Sequence, residues 1–100
     1  MKPARFHSEA DAELRSALEW YNDQRAGLGG ELLSEVLADV KRACERPHSY
    51  AAIDRRKTRA CLVHRFPYTV FFVELEHEIW IVAIAHHRRR PRFWAKRRPE

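Results

Sequence analysis

Apolar residues recur at two different periods along this chain, and the change from one to the other divides it into a helical part and a strand part. From Ala10, apolar side chains return at Leu14, Ala17, Leu18 and Tyr21, offsets of 4, 7, 8 and 11 that fall on one stripe of a 3.6-residue helix. Glu13, Arg15, Glu19 and Asp23 fall on the opposite, polar side. Ser8, with Asp11 three positions on, has the character of an N-cap followed by an acidic first turn, and Gly27 supplies a stop. Ala26 to Gly30 then reads as a glycine-rich turn, after which Leu32, Leu33, Val36, Leu37, Val40, Ala43 and Cys44 form a second stripe that stops before Pro47. The pattern predicts a helical hairpin.

Beyond residue 57 the helical period disappears. Ala60 to Phe66, Tyr68 to Leu75 and Ile79 to Ala85 are dense in Val, Ile, Phe, Tyr and Trp, the composition of strands. Pro67 cannot donate to a ladder and marks the first connection, and Glu76-His77-Glu78 is a polar tip of hairpin length between the second and third strands. Pro3 to His7 is a candidate edge strand. Neither layer can bury its apolar surface alone, so the expected fold is α+β over a single domain spanning residues 1–100: an N-terminal helical hairpin packed on a small antiparallel β-sheet of three to four strands. Trp80 lies on the strand face opposite Ile79 and Ile81, and Phe93 and Trp94 are expected to dock back on the domain.

Charge changes this picture at one end. Residues 1–53 carry a net −2, residues 54–85 a net +1, and residues 86–100, with seven Lys/Arg and one Asp/Glu, a net +6. A concentrated cationic end favours polyanionic or acidic partners, against which stands the plainer reading of a solvated tail that keeps the protein soluble. So small a domain has little room for a deep pocket, which favours a macromolecular target over metabolic chemistry. No apolar run approaches the length of a membrane span and no signal-peptide pattern follows Lys2, so a cytoplasmic location without membrane attachment is expected. Cys44 and Cys61 match no metal spacing and read as buried thiols. His86 and His87 are adjacent and point to opposite faces of a strand, so neither a metal site nor a cofactor is expected.

A set of short pieces in fixed order resembles the ParE branch of the RelE/ParE toxin superfamily. The pieces are Phe6-His7-Ser8-Glu9-Ala10 with Glu13-Leu14, Trp20-Tyr21, Gly27-Leu28-Gly29, Arg46-Pro47, Phe66-Pro67-Tyr68, and the ending His86 to Trp94 with Arg97. The resemblance implies the toxin component of a type II toxin-antitoxin system, sequestered by a cognate antitoxin in a hetero-oligomer. ParE-like members inhibit DNA gyrase, whereas RelE-like members of the same fold cleave messenger RNA on the ribosome.

Chemistry separates the two activities. RNA cleavage by a ribose 2′-hydroxyl needs a base, an acid and cations for the crowded phosphate. Here His86, Arg59 and Arg65 are the candidates for that catalytic role, but the aromatic of the ending is Phe93, which cannot transfer a proton. Arg59 and Arg65 have a structural alternative, pairing with a carboxylate of the covering helix or with Glu74. Gyrase inhibition needs only a binding surface, and Arg89, Arg90, Phe93, Trp94 and Arg97 are its candidate residues. Taken with the resemblance, these residues favour a gyrase inhibitor acting by binding over a catalyst. The alternatives are a ribosome-dependent mRNA endonuclease and, third, a nucleic-acid-binding module without toxicity. Trp20 and Tyr21, at a helix end, read as core or hairpin-loop packing.

Overall fold

The computed structural model describes residues 1–100. Strand β1 (Ala4–Phe6) leads into helix α1 (Ser8–Gln24), followed by α2 (Leu28–Glu45), a short 3-10 turn (Pro47–Ser49), and strands β2 (Arg59–Leu62), β3 (Tyr68–Glu74) and β4 (Ile79–His86). The four strands form one sheet in the order β1-β4-β3-β2. β2, β3 and β4 are antiparallel neighbours, and β1 lies parallel to β4, with Ala4 opposite Ile79 and Phe6 opposite Ile81. The N-terminal edge strand expected from the sequence is thus present, and it makes the sheet mixed where antiparallel pairing was expected.

Helix α1 starts one residue earlier than a Ser8 cap would allow. His7 is the N-cap: its backbone is extended (φ −60°, ψ 144°) and its Nδ1 accepts from the Glu9 amide at 3.0 Å. A cap must sit outside helical φ/ψ, and Ser8 is already inside the first turn. The His7 amide still donates to the Ile81 carbonyl at 2.9 Å, so the β1–β4 ladder runs directly into the helix.

The hairpin turn is also tighter than expected. α1 ends at Gln24, and Gly27, at φ +88°, is the N-cap of α2 and not the terminator of α1. Gly29 and Gly30 belong to α2. Gly29 is needed because the helices touch there: its amide donates to Asn22 Oδ1 at 2.8 Å, and a Cβ would stand 2.5 Å from the Leu18 carbonyl oxygen. Nothing approaches Gly30.

The predicted stripes pack against the sheet. Ala10, Leu14, Ala17, Leu32, Val36, Val40, Ala43 and Cys44 form one core with Cys61, Val70, Phe72, Ile79, Ile81 and Ile84. Leu37 does not join it; it is 49% exposed on the flank of α2. Both thiols are buried and free, and burial pushes both above their usual range, which makes them poor nucleophiles. β2 is shorter than the apolar run suggested, because the chain turns after Val63: the Val63 amide donates to the Tyr68 carbonyl and Arg65 adopts φ +71°.

The other face of the sheet carries a second, smaller core. Val73, Trp80, Val82, Ala83 and Trp94 pack together there, as the placement of Trp80 opposite Ile79 and Ile81 required. Across the β3–β4 ladder, Phe71 pairs with Ala83 and Phe72 with Ile81, leaving Val82 without a partner. This β-bulge turns Val82 and Ala83 to the same face and restores Ile84 to the helix-covered one.

Candidate functional site

After β4 the chain makes a series of tight turns across the outer face. The Arg89 amide donates to the His86 carbonyl at 3.0 Å, the Arg88 amide to His86 Nδ1 at 3.0 Å and the His87 amide to the Pro67 carbonyl at 2.9 Å. Arg92, at φ +58°, redirects the chain so that Trp94 enters the second core. Trp94 is 1% exposed and lies 4.4 Å from the Phe71 ring. The docking expected of Phe93 and Trp94 is thus present, with Phe93 half-buried.

Arg56 fixes this segment from below. Its guanidinium stands over the rings of Trp80 and Trp94 at 5.3 and 5.8 Å, Nη1 donates to the Arg97 carbonyl at 2.6 Å, and Nε donates to the Thr58 hydroxyl at 3.1 Å. Burial lowers the Arg56 pKa from its usual value. No local sequence signal separated Arg56 from its basic neighbours Arg55 and Lys57.

Arg97 ties the segment to α1. Its guanidinium donates to both carboxylate oxygens of Glu13, at 3.1 and 2.6 Å, and to the Val82 carbonyl at 2.9 Å, while Glu13 Oε1 accepts from the Ile84 amide at 3.0 Å. β1 covers β4 only as far as Ile81, so Val82 and Ile84 present main-chain groups at an open sheet edge, and the ion pair occupies them. Glu13 was placed among water-facing residues by periodicity. It borders the stripe, three positions after Ala10 and four before Ala17, and that position beside an arginine-rich ending was the available signal.

Between α1 and this edge of β4 runs a groove of about 620 Å³, lined among others by Ala17, Trp20, Tyr21, Tyr68, His86 and Arg89. Tyr21 stands edge-on to Phe66 at 5.2 Å and to Tyr68 at 6.3 Å, and Tyr68 edge-on to His86 at 5.0 Å. Burial raises the Tyr21 and Tyr68 pKa values, so both stay neutral phenols near pH 7. Tyr21 packs as expected, but Trp20 is 56% exposed at the mouth of the groove, held edge-on to Tyr21 at 4.9 Å, and is not a core residue.

The candidate residues separate into three groups. Arg89 and Arg90 are exposed, and Arg89 lies over the Phe93 ring at 3.8 Å. Trp94 and Arg97, candidates for the binding surface, are internal; with Trp94 docked as expected, the segment presents cations to solvent and the tryptophan serves as an anchor. His86, Arg59 and Arg65 do not converge. Arg59 pairs across the sheet with Phe72 and His86 with Tyr68, positions four residues apart on β3 and so separated by about 13 Å along the strand. Arg65 is not on a strand; its guanidinium bonds Glu31 of α2 at 2.7 Å, and Arg59 donates to the Tyr50 carbonyl. The structural alternative for Arg65 is therefore the one observed. No three His, Cys, Asp or Glu side chains come together as a metal site, and no helix is long and apolar enough to cross a membrane.

Residues 4–91 match the family described as ParE toxin of type II toxin-antitoxin system, parDE. The chain belongs to the ParE toxin family. The match takes in the helical hairpin, all four strands and Arg88 to Arg90, and ends at Pro91, so Phe93, Trp94 and Arg97 lie beyond it. No curated protein matches the chain. Among solved structures, a chain described as "Chromosomal ParDE TA system from P. aeruginosa" is similar with a TM-score of 0.74 and 18% identity, covering 86% of this chain and 96% of that one. At that identity the likeness concerns the fold, and it places this ParE family member on the same helix-hairpin-and-sheet framework.

Proposed function

We propose that residues 1–100 act as one toxin domain that inhibits DNA gyrase by binding and is neutralised by a cognate antitoxin. The observation that carries this reading is the arrangement of the ending of a ParE family member: Arg89 and Arg90 are exposed on a turn fixed by main-chain hydrogen bonds, with the rest of the segment anchored by Trp94 and Arg97. A rigid cationic surface suits capture of a large partner, and anchoring keeps the ordering cost of binding low. The separation of His86, Arg59 and Arg65 supports binding over RNA cleavage.

The antitoxin's place in this reading is the groove between α1 and β4. It offers apolar floor from Ala17 and Ile84, an exposed aromatic in Trp20 and a cation in Arg89, the features that accept an extended or helical segment bearing apolar and acidic side chains. Relaxed plasmid incubated with gyrase and the purified protein, beside a ribosome-dependent mRNA cleavage reaction, tests the target. Loss of supercoiling with intact RNA is expected, and cleaved RNA with normal supercoiling would overturn the proposal.

A further inference from the structure

The two layers that sandwich the sheet carry opposite charge. Helices α1 and α2 together hold nine Asp/Glu against three Lys/Arg. On the other side, the loop 54–58 and residues 87–100 hold ten Lys/Arg against two Asp/Glu. These two stretches form one surface, because Arg56 of the loop bonds the Arg97 carbonyl and Asp54 pairs with Arg92 at 3.4 Å. Of the cations in residues 87–100, only Arg92 and Arg97 are ion-paired. Arg88, Arg89 and Arg90 are exposed and free of carboxylates, as are Arg55 and Lys57 across the seam.

We propose that this outer face docks the phosphate backbone of duplex DNA, independently of base sequence. Three features favour DNA over an acidic protein. The two largest side chains of this face, Trp94 and Trp80, are turned inward at 1% exposed each, and the apolar residues exposed beside it are the isolated Leu62 and Ile53, so the turn offers cations without the aromatic centre on which protein interfaces rely. Phosphate binding needs no such centre, since counterion release drives it. The Arg56 bond to the Arg97 carbonyl and the Asp54–Arg92 pair hold the two cationic stretches side by side, so cations of both can meet one phosphate backbone. Arg89, stacked on Phe93 at 3.8 Å, is already ordered for a phosphate. The acidic helices are repelled by the same polyanion, which fixes the orientation: sheet side to the DNA, hairpin away from it.

No helix enters a groove in this arrangement, so the binding is weak and salt-dependent. Fluorescence anisotropy of a labelled duplex of arbitrary sequence, titrated with the purified chain alone, measures it without gyrase, so its failure is separate from failure of the gyrase reading. A Kd on the order of micromolar in low salt is expected, with affinity falling steeply as salt rises. Replacing Arg88→Gln, Arg89→Gln and Arg90→Gln together should weaken binding at least tenfold and flatten the slope of log affinity against log salt by about 2.7, that is about 0.9 for each phosphate no longer neutralised. Arg55→Gln with Lys57→Gln, both exposed and without an ion pair, should flatten it by about 1.8, and Glu19→Gln with Asp23→Asn on α1 should not weaken binding. Absence of binding in low salt, an unchanged slope in both cation-removing variants, or competition by polyglutamate as effective as by unlabelled duplex would overturn the proposal.

Discussion

The sheet's two faces are covered by different means. On the inner face, two helices present apolar stripes, and the stripe residues from Ala10 to Cys44 fill one continuous core. On the outer face, fourteen residues without regular secondary structure cover the sheet through a few anchors: Trp94 in the second core, Arg56 beneath it, Arg97 on Glu13, and Glu100, whose carboxylate accepts from the Ser8 amide and hydroxyl at 2.8 and 2.7 Å. A cover of periodic contacts spreads its energy over many side chains. A cover of single anchors concentrates its energy in them and leaves the side chains between free to carry charge. That division leaves Arg88, Arg89 and Arg90 available on the outer face while the inner face is given over to stability.

If the anchors matter in this way, removing one should cost as much as truncating a large side chain of the main core. Trp94→Ala is expected to lose about 4 kcal/mol in urea unfolding, similar to Phe72→Ala on the inner face. A loss below about 1 kcal/mol would mean the outer cover is only adsorbed. Arg97→Ala should cost about 3 kcal/mol, because it strips the counter-charge from a largely buried Glu13, and a double-mutant cycle with Glu13→Gln should return a positive coupling energy. On the inner side the glycines of α2 give a smaller, two-signed test. Gly29→Ala should destabilise by about 2 kcal/mol because its Cβ meets the Leu18 carbonyl, whereas Gly30→Ala should stabilise by roughly 0.5–1 kcal/mol, there being open space and a better helix former.

The smallest effect concerns pH. Asp39 is 1% exposed on α2, and burial raises its carboxyl pKa despite the ion pair with Arg42. A raised folded-state pKa contributes stability that is complete below the unfolded value and is lost as pH rises through the folded one. Asp39→Asn should therefore gain stability relative to the parent as pH is raised from the acid range to neutrality, measured by paired urea melts. A constant difference across that window would remove Asp39 from the pH response.

Periodicity made the inner face legible, since helix stripes and strand runs both answer to one buried side. The details it missed were those decided by three-dimensional neighbours. His7 took the cap because the β1–β4 ladder held it extended; Gly27 moved from stop to start because α1 ends at Gln24; and β2 was cut short by the turn at Val63 to Tyr68. The outer face was legible only as charge plus two aromatics. Its docking could be anticipated from Phe93 and Trp94, but the pairing of Glu13 with Arg97, 84 residues away in sequence, could not be read from either local pattern. For the same reason Arg59, Arg65 and His86, which a linear reading groups as the chemistry for RNA cleavage, are spread along the sheet and its connecting turn.

The most direct test of the proposed division of labour is gyrase supercoiling titrated with the parent chain and with an Arg89→Glu, Arg90→Glu variant whose urea midpoint is unchanged. The expected result is inhibition by the parent and its loss in the variant. Equal inhibition by both proteins would contradict it, and would move the target-binding surface away from the turn after β4.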